Sequence, residues 1–366
     1  MPVSPDHQHA NGEIDIASLH AQDSTGLLAR IDRAVVWDIP LTTPFRGITR
    51  RDGVLLHGPG GWGEVAPFWD YGSEASAPWL ASGLCQALGN SLLPRYRETI
   101  SVNVTVPEVG AQEAAELVRA SGARTAKVKV SGSSDKRSAD LERLEAVRSA
   151  LGRSGKVRID VNGAWDLDTA RENLPLMDRA AGGLEYAEQP CATVYDLADL
   201  RRAVDVPIAA DESIRLSANP LEIVHRRAAD VAILKVAPLG GVHRALDMAE
   251  RLGLPAVVSS ALDTSVGIMA GATLAFSLPS LNHACGLGTT YLLTQDVADP
   301  SVRPSNGTLR LDAAAPVSER LLNEVKAGPY LTTHWQTRLL HLAGALHARR
   351  QREARDPSRA VAGLPL

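Results

Sequence analysis

The sequence predicts an α/β fold: a (β/α)7β-like variant of the TIM barrel, preceded by a small α+β unit that the C-terminal segments complete. Three observations carry that expectation. Short apolar runs alternate with helix-like segments over the middle of the chain, the pattern of βαβ units around a parallel sheet. Each run carries one polar or small residue near its C-terminal end, and these residues recur at a near-constant step. After the last run the helical pattern fails at "RPSNGTLRLD", where Asn-Gly signals a turn.

The α+β unit comes first. "RIDRAVVWDIPL" and "GITRRDGVLLHG" alternate as strands do, "GWGEVAPF" supplies a third, and "SEASAPWLASGLCQAL" has helical periodicity. The barrel runs follow. "TISVNVTV" is marked by Asn103, "AKVKV" by Lys129, "VRIDVNG" by Asp160, "LEYAEQP" by Glu188, "VPIAADES" by Asp211, "VAILKVAP" by Lys235, "PAVVSSA" by Ser259 and "HACGLGT" by Cys285. The steps are 26, 31, 28, 23, 24, 24 and 26 residues, close to what eight strand–helix units in roughly 250 residues require. A doubly wound open sheet is the alternative. Between the runs, "AQEAAELVRASG" and "ADLERLEAVRSALG" read as helices closed by glycine. The divisions are a disordered polar leader at 1–26, the α+β unit at 27–98, the barrel at 99–298, and a return at 299–366 ending in a frayed basic tail.

Composition excludes several function classes. The chain has 366 residues, 45% apolar and 22% charged, with a formal net charge of −4, so it offers no electrostatic case for nucleic acid or an anionic membrane. No apolar run reaches membrane-spanning length, and the N-terminus lacks the features of a secretory signal. His7, His9 and His20 belong to the polar leader rather than to a metal tract. Cys85, Cys191 and Cys285 are dispersed and odd in number, which fits a reducing cytoplasm. The expected partner is a small molecule; nothing in the sequence bears on self-association.

The C-terminal strand ends of a parallel barrel form one face, and that face carries the active site. Here it receives Lys129, Asp160, Glu188, Asp211 and Lys235 from five consecutive strands. Taken singly, each has an ordinary explanation: a helix cap, a surface ion pair, an Asx turn. Together they do not, because two carboxylates about 4 Å apart repel by about 4 kcal/mol at an effective dielectric near 20. A divalent cation removes that cost. An all-oxygen set without Cys or His selects a hard ion, Mg²⁺ first and Mn²⁺ second. Asn162, two residues past Asp160, is placed to support the set; spacing leaves Asp211 and Glu212 as alternative ligands. Lys127 and Lys129 share one strand face. A lysine acts as a base only if its pKa falls toward the working pH, and a neighbouring cation pushes it that way. On an edge strand the pair would instead deter aggregation, but a closed barrel has no edges.

"KVK", "DVNGAW", "EQP", "ADES", "LKVAPLGG" and "SSALDTSVG", in this order, resemble the enolase superfamily, and most closely its o-succinylbenzoate synthase branch within the muconate-lactonising-enzyme-like subgroup. The resemblance spans residues 31–311 and makes the α+β unit a capping domain. The superfamily is already known for a Lys or His base working with Mg²⁺. By motif position the resemblance implies Lys129 as acid/base catalyst with Lys127 its neighbour, and Lys235 as the lysine of the opposite face. It implies Asp160, Glu188 and Asp211 as Mg²⁺ ligands, and Ser259, Ser260 and Gly286 as holding the substrate's succinyl end. Residues 42–51 match a loop that closes over the pocket, where Arg46 and Arg50 are expected as surface charges. The implied reaction is dehydration of a succinyl-hydroxy-cyclohexadiene carboxylate to o-succinylbenzoate in menaquinone biosynthesis. The nearest rival is racemisation of N-succinylamino acids, which also suits opposed lysines. A Schiff-base aldolase would use Lys235 but not three acids.

Overall fold

The computed structural model describes residues 12–310 and 316–355. Strands β1 (Arg33–Phe45), β2 (Ile48–Gly58) and β3 (Gly61–Val65) form an antiparallel sheet in that order. The helix Ser73–Ala87 packs on it with Trp79, Leu80 and Leu84 buried. This is the α+β unit.

The barrel region opens with β4 (Thr99–Ser101) and β5 (Val104–Val106). "TISVNVTV" is therefore two strands, a difference from the sequence expectation: β4 pairs antiparallel with β12 (Thr308–Arg310) below the barrel, and only β5 joins the parallel sheet. Then come β6 (Thr125–Lys129), β7 (Lys156–Asp160), β8 (Leu184–Glu188), β9 (Ile208–Ala210), β10 (Val231–Lys235) and β11 (Ala256–Ser259). They lie side by side in chain order. The eighth run shrinks to two residues. Cys285 bridges Val102 and Gly286 bridges Ser259, both in parallel sense, which joins the two ends of the sheet. The closed reading holds over the open sheet.

Period-2 alternation sorts the strand residues. Ala126, Val128, Val157, Ile159, Ala210 and Leu234 pack outward in the large core shared with the helices. Tyr186, Ala209, Val231, Ile233 and Val257 form a separate cluster inside the ring. Lys127 and Lys129 share the inner face of β6, which has β5 on one side and β7 on the other. It is not an edge.

Two expectations at the chain ends are corrected. Of the leader expected at 1–26, residues 1–11, with His7 and His9, lie outside the described part; the rest is folded. Asp15 caps the helix Ile16–Gln22, Leu19 is fully buried in the capping core, and Glu13 pairs with Arg33 and Lys326. Gly12 has φ +83°, and a Cβ there would meet Lys326 and the Val36 carbonyl within 3 Å. At the other end, the basic stretch runs on as the helix Pro329–Arg355, burying Trp335, Leu339, Leu342 and Leu346 against the capping unit. Several of its charges are paired: Glu353 takes Arg244 and Arg349, and Arg352 takes Glu74. Residues 356–366 lie outside the described part. The return also begins before residue 299, since Leu293 already bridges Leu41 of β1.

Candidate active site

Strand register builds the site. Lys129 is level with Asp160, and Asp160 with Glu188, so three ionisable residues form one row on three neighbouring strands. Glu188 is level with Ala209, which puts Asp211 one inward position further out. Lys235 is level with Ser259 on the opposite side of the ring. All five charged side chains are about one-tenth exposed or less.

Contacts follow from that layout. Lys127 Nζ lies 2.8 Å from both Asp160 Oδ2 and Glu188 Oε1. Lys129 Nζ donates to Asp160 Oδ2 at 2.6 Å and to Asn162 Oδ1. Lys235 Nζ meets Asp211 Oδ2 at 2.5 Å. Arg215 donates to Asp211 Oδ1 at 3.0 Å and to Glu212 Oε1 at 2.7 Å. Asn162 Nδ2 also reaches Glu212, at 3.1 Å. Four carboxylates thus face four cationic groups.

The two lysines of β6 are driven apart. Burial works against the charge on Lys127, but Asp160 and Glu188 overcome it and raise its pKa well above the ordinary value. Burial lowers the pKa of Lys129; Asp160 opposes that shift and Lys127 reinforces it. Burial also resists ionisation of Asp160, yet Lys127 and Lys129 hold its carboxyl below the usual range. For Glu188, burial and the Asp160 charge together push the pKa up to about 7. Asp211 resembles Asp160: burial is outweighed by Arg215 and Lys235, and its pKa falls.

The donor chemistry fits a hard divalent cation, with three carboxylates and no sulfur or imidazole. The geometry departs from the sequence expectation. Among the described residues no three of His, Cys, Asp and Glu close on a common point. Lys127 lies between Asp160 and Glu188, and Lys235 holds Asp211. An ion at this place exchanges ammonium–carboxylate contacts for its own.

A cavity of about 40 Å³ adjoins the cluster, lined by Lys127, Lys129, Asp160, Asn162 and Lys235 and by Ser259, Ser260 and Gly286. Every residue expected at the site lines it except Glu188 and Asp211, which lie beneath through their ion pairs. The serine hydroxyls turn to the backbone and a neighbour: Ser260 Oγ donates to the Gly286 carbonyl at 2.9 Å and meets Thr289 Oγ1 at 2.7 Å. A Cβ on Gly286 would stand 2.5 Å from Ser259 Oγ, so any larger residue would have to turn that hydroxyl aside. The cavity is far below the roughly 300–1,000 Å³ of ligand pockets, because Phe45, Arg46 and Phe68 of the capping unit cover it.

Residues 42–51 carry two arginines with different surroundings. Arg50 is a surface charge, paired with Asp38 at 2.8 Å. Arg46 is exposed too, 4.0 Å from Asp70, but it also borders the cavity, stacks 4.3 Å over Phe68 and donates to Tyr71 Oη at 3.2 Å. Sequence reasoning missed Arg215, Tyr71 and Thr289. A signal existed for Arg215, four residues past Asp211 on the short helix Glu212–Arg215, the spacing that brings side chains together. Tyr71 sits in a loop with no periodicity to mark it.

Comparison with known proteins identifies the family. Residues 110–316 match the family model for Enolase C-terminal domain-like proteins and residues 36–87 that for Enolase N-terminal domain-like proteins. An o-succinylbenzoate synthase of Thermobifida fusca is 53% identical over 305 residues, covering 82% of this chain and 93% of that protein. One from Mycobacterium tuberculosis is 49% identical, covering 81% and 89%. Among solved structures, muconate lactonizing enzyme of Pseudomonas fluorescens superposes with a TM-score of 0.68 at 23% identity, covering 80% of this chain and 97% of that one.

Proposed function

Because the chain belongs to the o-succinylbenzoate synthases, the carbon–oxygen lyase branch of the enolase superfamily, we propose that it dehydrates a succinyl-hydroxy-cyclohexadiene carboxylate to o-succinylbenzoate. The observation that carries this reading is a pair of lysines facing one cavity from opposite sides of the ring, one of them, the buried Lys129, shifted toward its neutral form by burial and by Lys127.

Neutral Lys129 takes the proton from the ring carbon beside the substrate carboxylate. The resulting ammonium returns it to the hydroxyl leaving from the same ring face. One C–H and one C–O bond break, water departs, and the ring becomes aromatic. Lys235, as an ammonium, faces the anion from the other side and stabilises it. Lys127 keeps its proton, so it acts as a fixed charge that favours a neutral partner two residues away. Asn162 holds Lys129 through its carbonyl oxygen. Ser259, Ser260 and Gly286 form the wall for the succinyl end.

Asp160, Glu188 and Asp211 would hold a divalent cation, Mg²⁺ with Mn²⁺ as substitute, which when bound supplies a Lewis acid for the substrate carboxylate. Charge balance supports an anionic substrate. With Lys129 neutral, Lys127, Lys235 and Arg215 face the four acids, and a divalent cation would bring the positive charge that an anionic substrate meets. We assign the reaction to menaquinone biosynthesis in the cytoplasm, in keeping with three buried free cysteines; no helix among the described residues is long and apolar enough to cross a membrane.

The test is a spectroscopic assay of ring aromatisation by purified protein with Mg²⁺, with and without chelator. The expected result is turnover that the chelator stops and Mg²⁺ restores. Turnover insensitive to chelator, or substantial activity in Lys129→Ala, would refute the assignment.

A further inference from the structure

Arg215 gives each guanidinium nitrogen to a different residue. Nε donates to Asp211 Oδ1 at 3.0 Å, Nη2 to Glu212 Oε1 at 2.7 Å, and Nη1 to Tyr71 Oη at 2.9 Å. The side chain is 3% exposed. Two of these partners directly follow β9 at the site, Asp211 after its last residue and Glu212 opening the short helix. The third belongs to the capping unit.

Tyr71 is well anchored on its own side. Its carbonyl accepts from Ser76 Oγ at 3.3 Å and from Arg338 Nη2 at 3.4 Å, tying the loop to the capping helix and to the C-terminal helix. Its ring meets Phe68 edge-on at 6.0 Å. Its phenol oxygen also accepts from Arg46, the residue that covers the cavity. Both lone pairs of that oxygen are therefore engaged, one from each side of the domain junction.

Asp211 divides its two oxygens in the same manner. Arg215 takes Oδ1 and Lys235 takes Oδ2, and the residue is fully buried. A guanidinium is a rigid planar fork. Rotating it to follow Tyr71 turns the Asp211 carboxylate, and turning that carboxylate moves the oxygen on which Lys235 rests. We propose that Arg215 is a positioning residue that transmits the seating of the capping unit, read through Tyr71, to Asp211 and Lys235. The proposal rests on the assignment of Lys235 to the reaction. A structural ion pair alone would stabilise the end of β9 without reporting on the cap.

Tyr71→Phe isolates the link, because it removes one oxygen and no charge. In hydrogen exchange of the full-length, substrate-free, chelator-treated chain, Tyr71→Phe is expected to speed exchange of amides in residues 209–216 by about tenfold through local loosening. In the aromatisation assay it is expected to lower kcat by about tenfold with KM little changed, since misplaced catalytic groups slow the step they serve. Arg215→Lys is expected to match or exceed it, and the double variant to be no worse than Arg215→Lys, as members of one network are not additive. The proposal is overturned if Tyr71→Phe leaves both exchange and kcat at wild-type values, or if the two substitutions add. Should Arg215→Lys fail to fold, Tyr71→Phe decides alone. Should the wild-type chain not catalyse the dehydration, the proposed function falls, and the exchange difference still reads the coupling.

Discussion

Lys127 holds both oxygens of Glu188, its Nζ standing 2.8 Å from Oε1 and 3.0 Å from Oε2, while it also reaches Asp160. Removing one partner of a buried ion pair leaves charge without compensation, which costs about 3–5 kcal/mol. Lys127→Met is therefore expected to destabilise the chelator-treated protein by about that amount. Glu188 then lacks its cation and Asp160 keeps only Lys129, so saturating Mg²⁺ should raise the unfolding midpoint more in the variant than in the wild type. Thermal unfolding with and without chelator checks it; equal Mg²⁺ shifts in both proteins would mean that these acids are not where the ion goes.

Glu64 gives a pH dependence outside the catalytic cluster. It sits on β3, and its carboxylate accepts from the Thr264 and Gly267 amides at the start of the helix Ser265–Ser277. Burial, then the nearby Asp263, push its pKa up to about 8 from an ordinary 4.5. Between those values the folded chain keeps a proton that the unfolded chain has released. Its contribution to stability is full below pH 4.5, declines as pH rises through the window, and is gone above about 8. Asp263, also raised, adds to the same slope. Glu64→Gln is expected to flatten the fall in unfolding midpoint between about pH 5 and 8; a variant as steep as the wild type would place the titration elsewhere.

The helix Ile16–Gln22 is expected to be integral to the capping unit. Leu19 is completely buried beside the C-terminal helix. Leu19→Ala removes three heavy atoms from a packed core and should cost about 2–5 kcal/mol. Denaturant unfolding measures it, and a loss under about 0.5 kcal/mol, the range of surface substitutions, would show that the helix is an appendage.

Why was this helix unreadable in the sequence, when the barrel was not? Barrel strands buried on both faces announce themselves as repeated apolar runs, and the period of two then fixes which residues share the interior. Lys127 and Lys129 could be placed on one face, and Asp160 and Glu188 beside them, from spacing alone. Residues 12–26 carry only Ile14 and Leu19 as buried anchors in a polar stretch, too few for a periodic signal. The basic tail misled in the same way, because its partners elsewhere in the chain, Glu74 for Arg352 and Arg244 for Glu353, are legible only once the helix is docked. Asn103 marked one strand where there are two, since β4 turns aside to pair with β12. Contacts between distant loops carry no periodicity at all: Tyr71 and Arg215 are 144 residues apart.

Lys129 sets the expected pH–rate profile. As a base it must be neutral, so kcat/KM should rise with pH and level off at a point below the ordinary lysine value of 10.5. Lys127→Met removes a neighbouring cation and leaves Asp160 to favour the protonated form. Both changes raise the Lys129 pKa, so the ascending limb should move to higher pH. Lys129→Ala should lower kcat by about 10²–10⁴ at every pH. An unmoved limb in Lys127→Met would exclude the fixed-charge role of Lys127.

Opposed lysines carry a last expectation. Lys129 rises from β6 and Lys235 from β10, and both line the same cavity. A carbon acid held between them is open to proton removal from either side, which is what racemising an N-succinylamino acid demands. In deuterated water the wild-type protein should exchange the α-proton of both enantiomers, each through the lysine facing it. Lys235→Ala should suppress exchange of one enantiomer by at least about 10², the usual range of a lost general base, while Lys129 continues to exchange the other. Dehydration by that variant should fall for a different reason, the loss of an ammonium beside the anion, so its two defects need not be equal. If both enantiomers still exchanged at comparable rates without Lys235, a single mobile base or solvent would be doing the work, and the two-sided arrangement would have no chemical meaning.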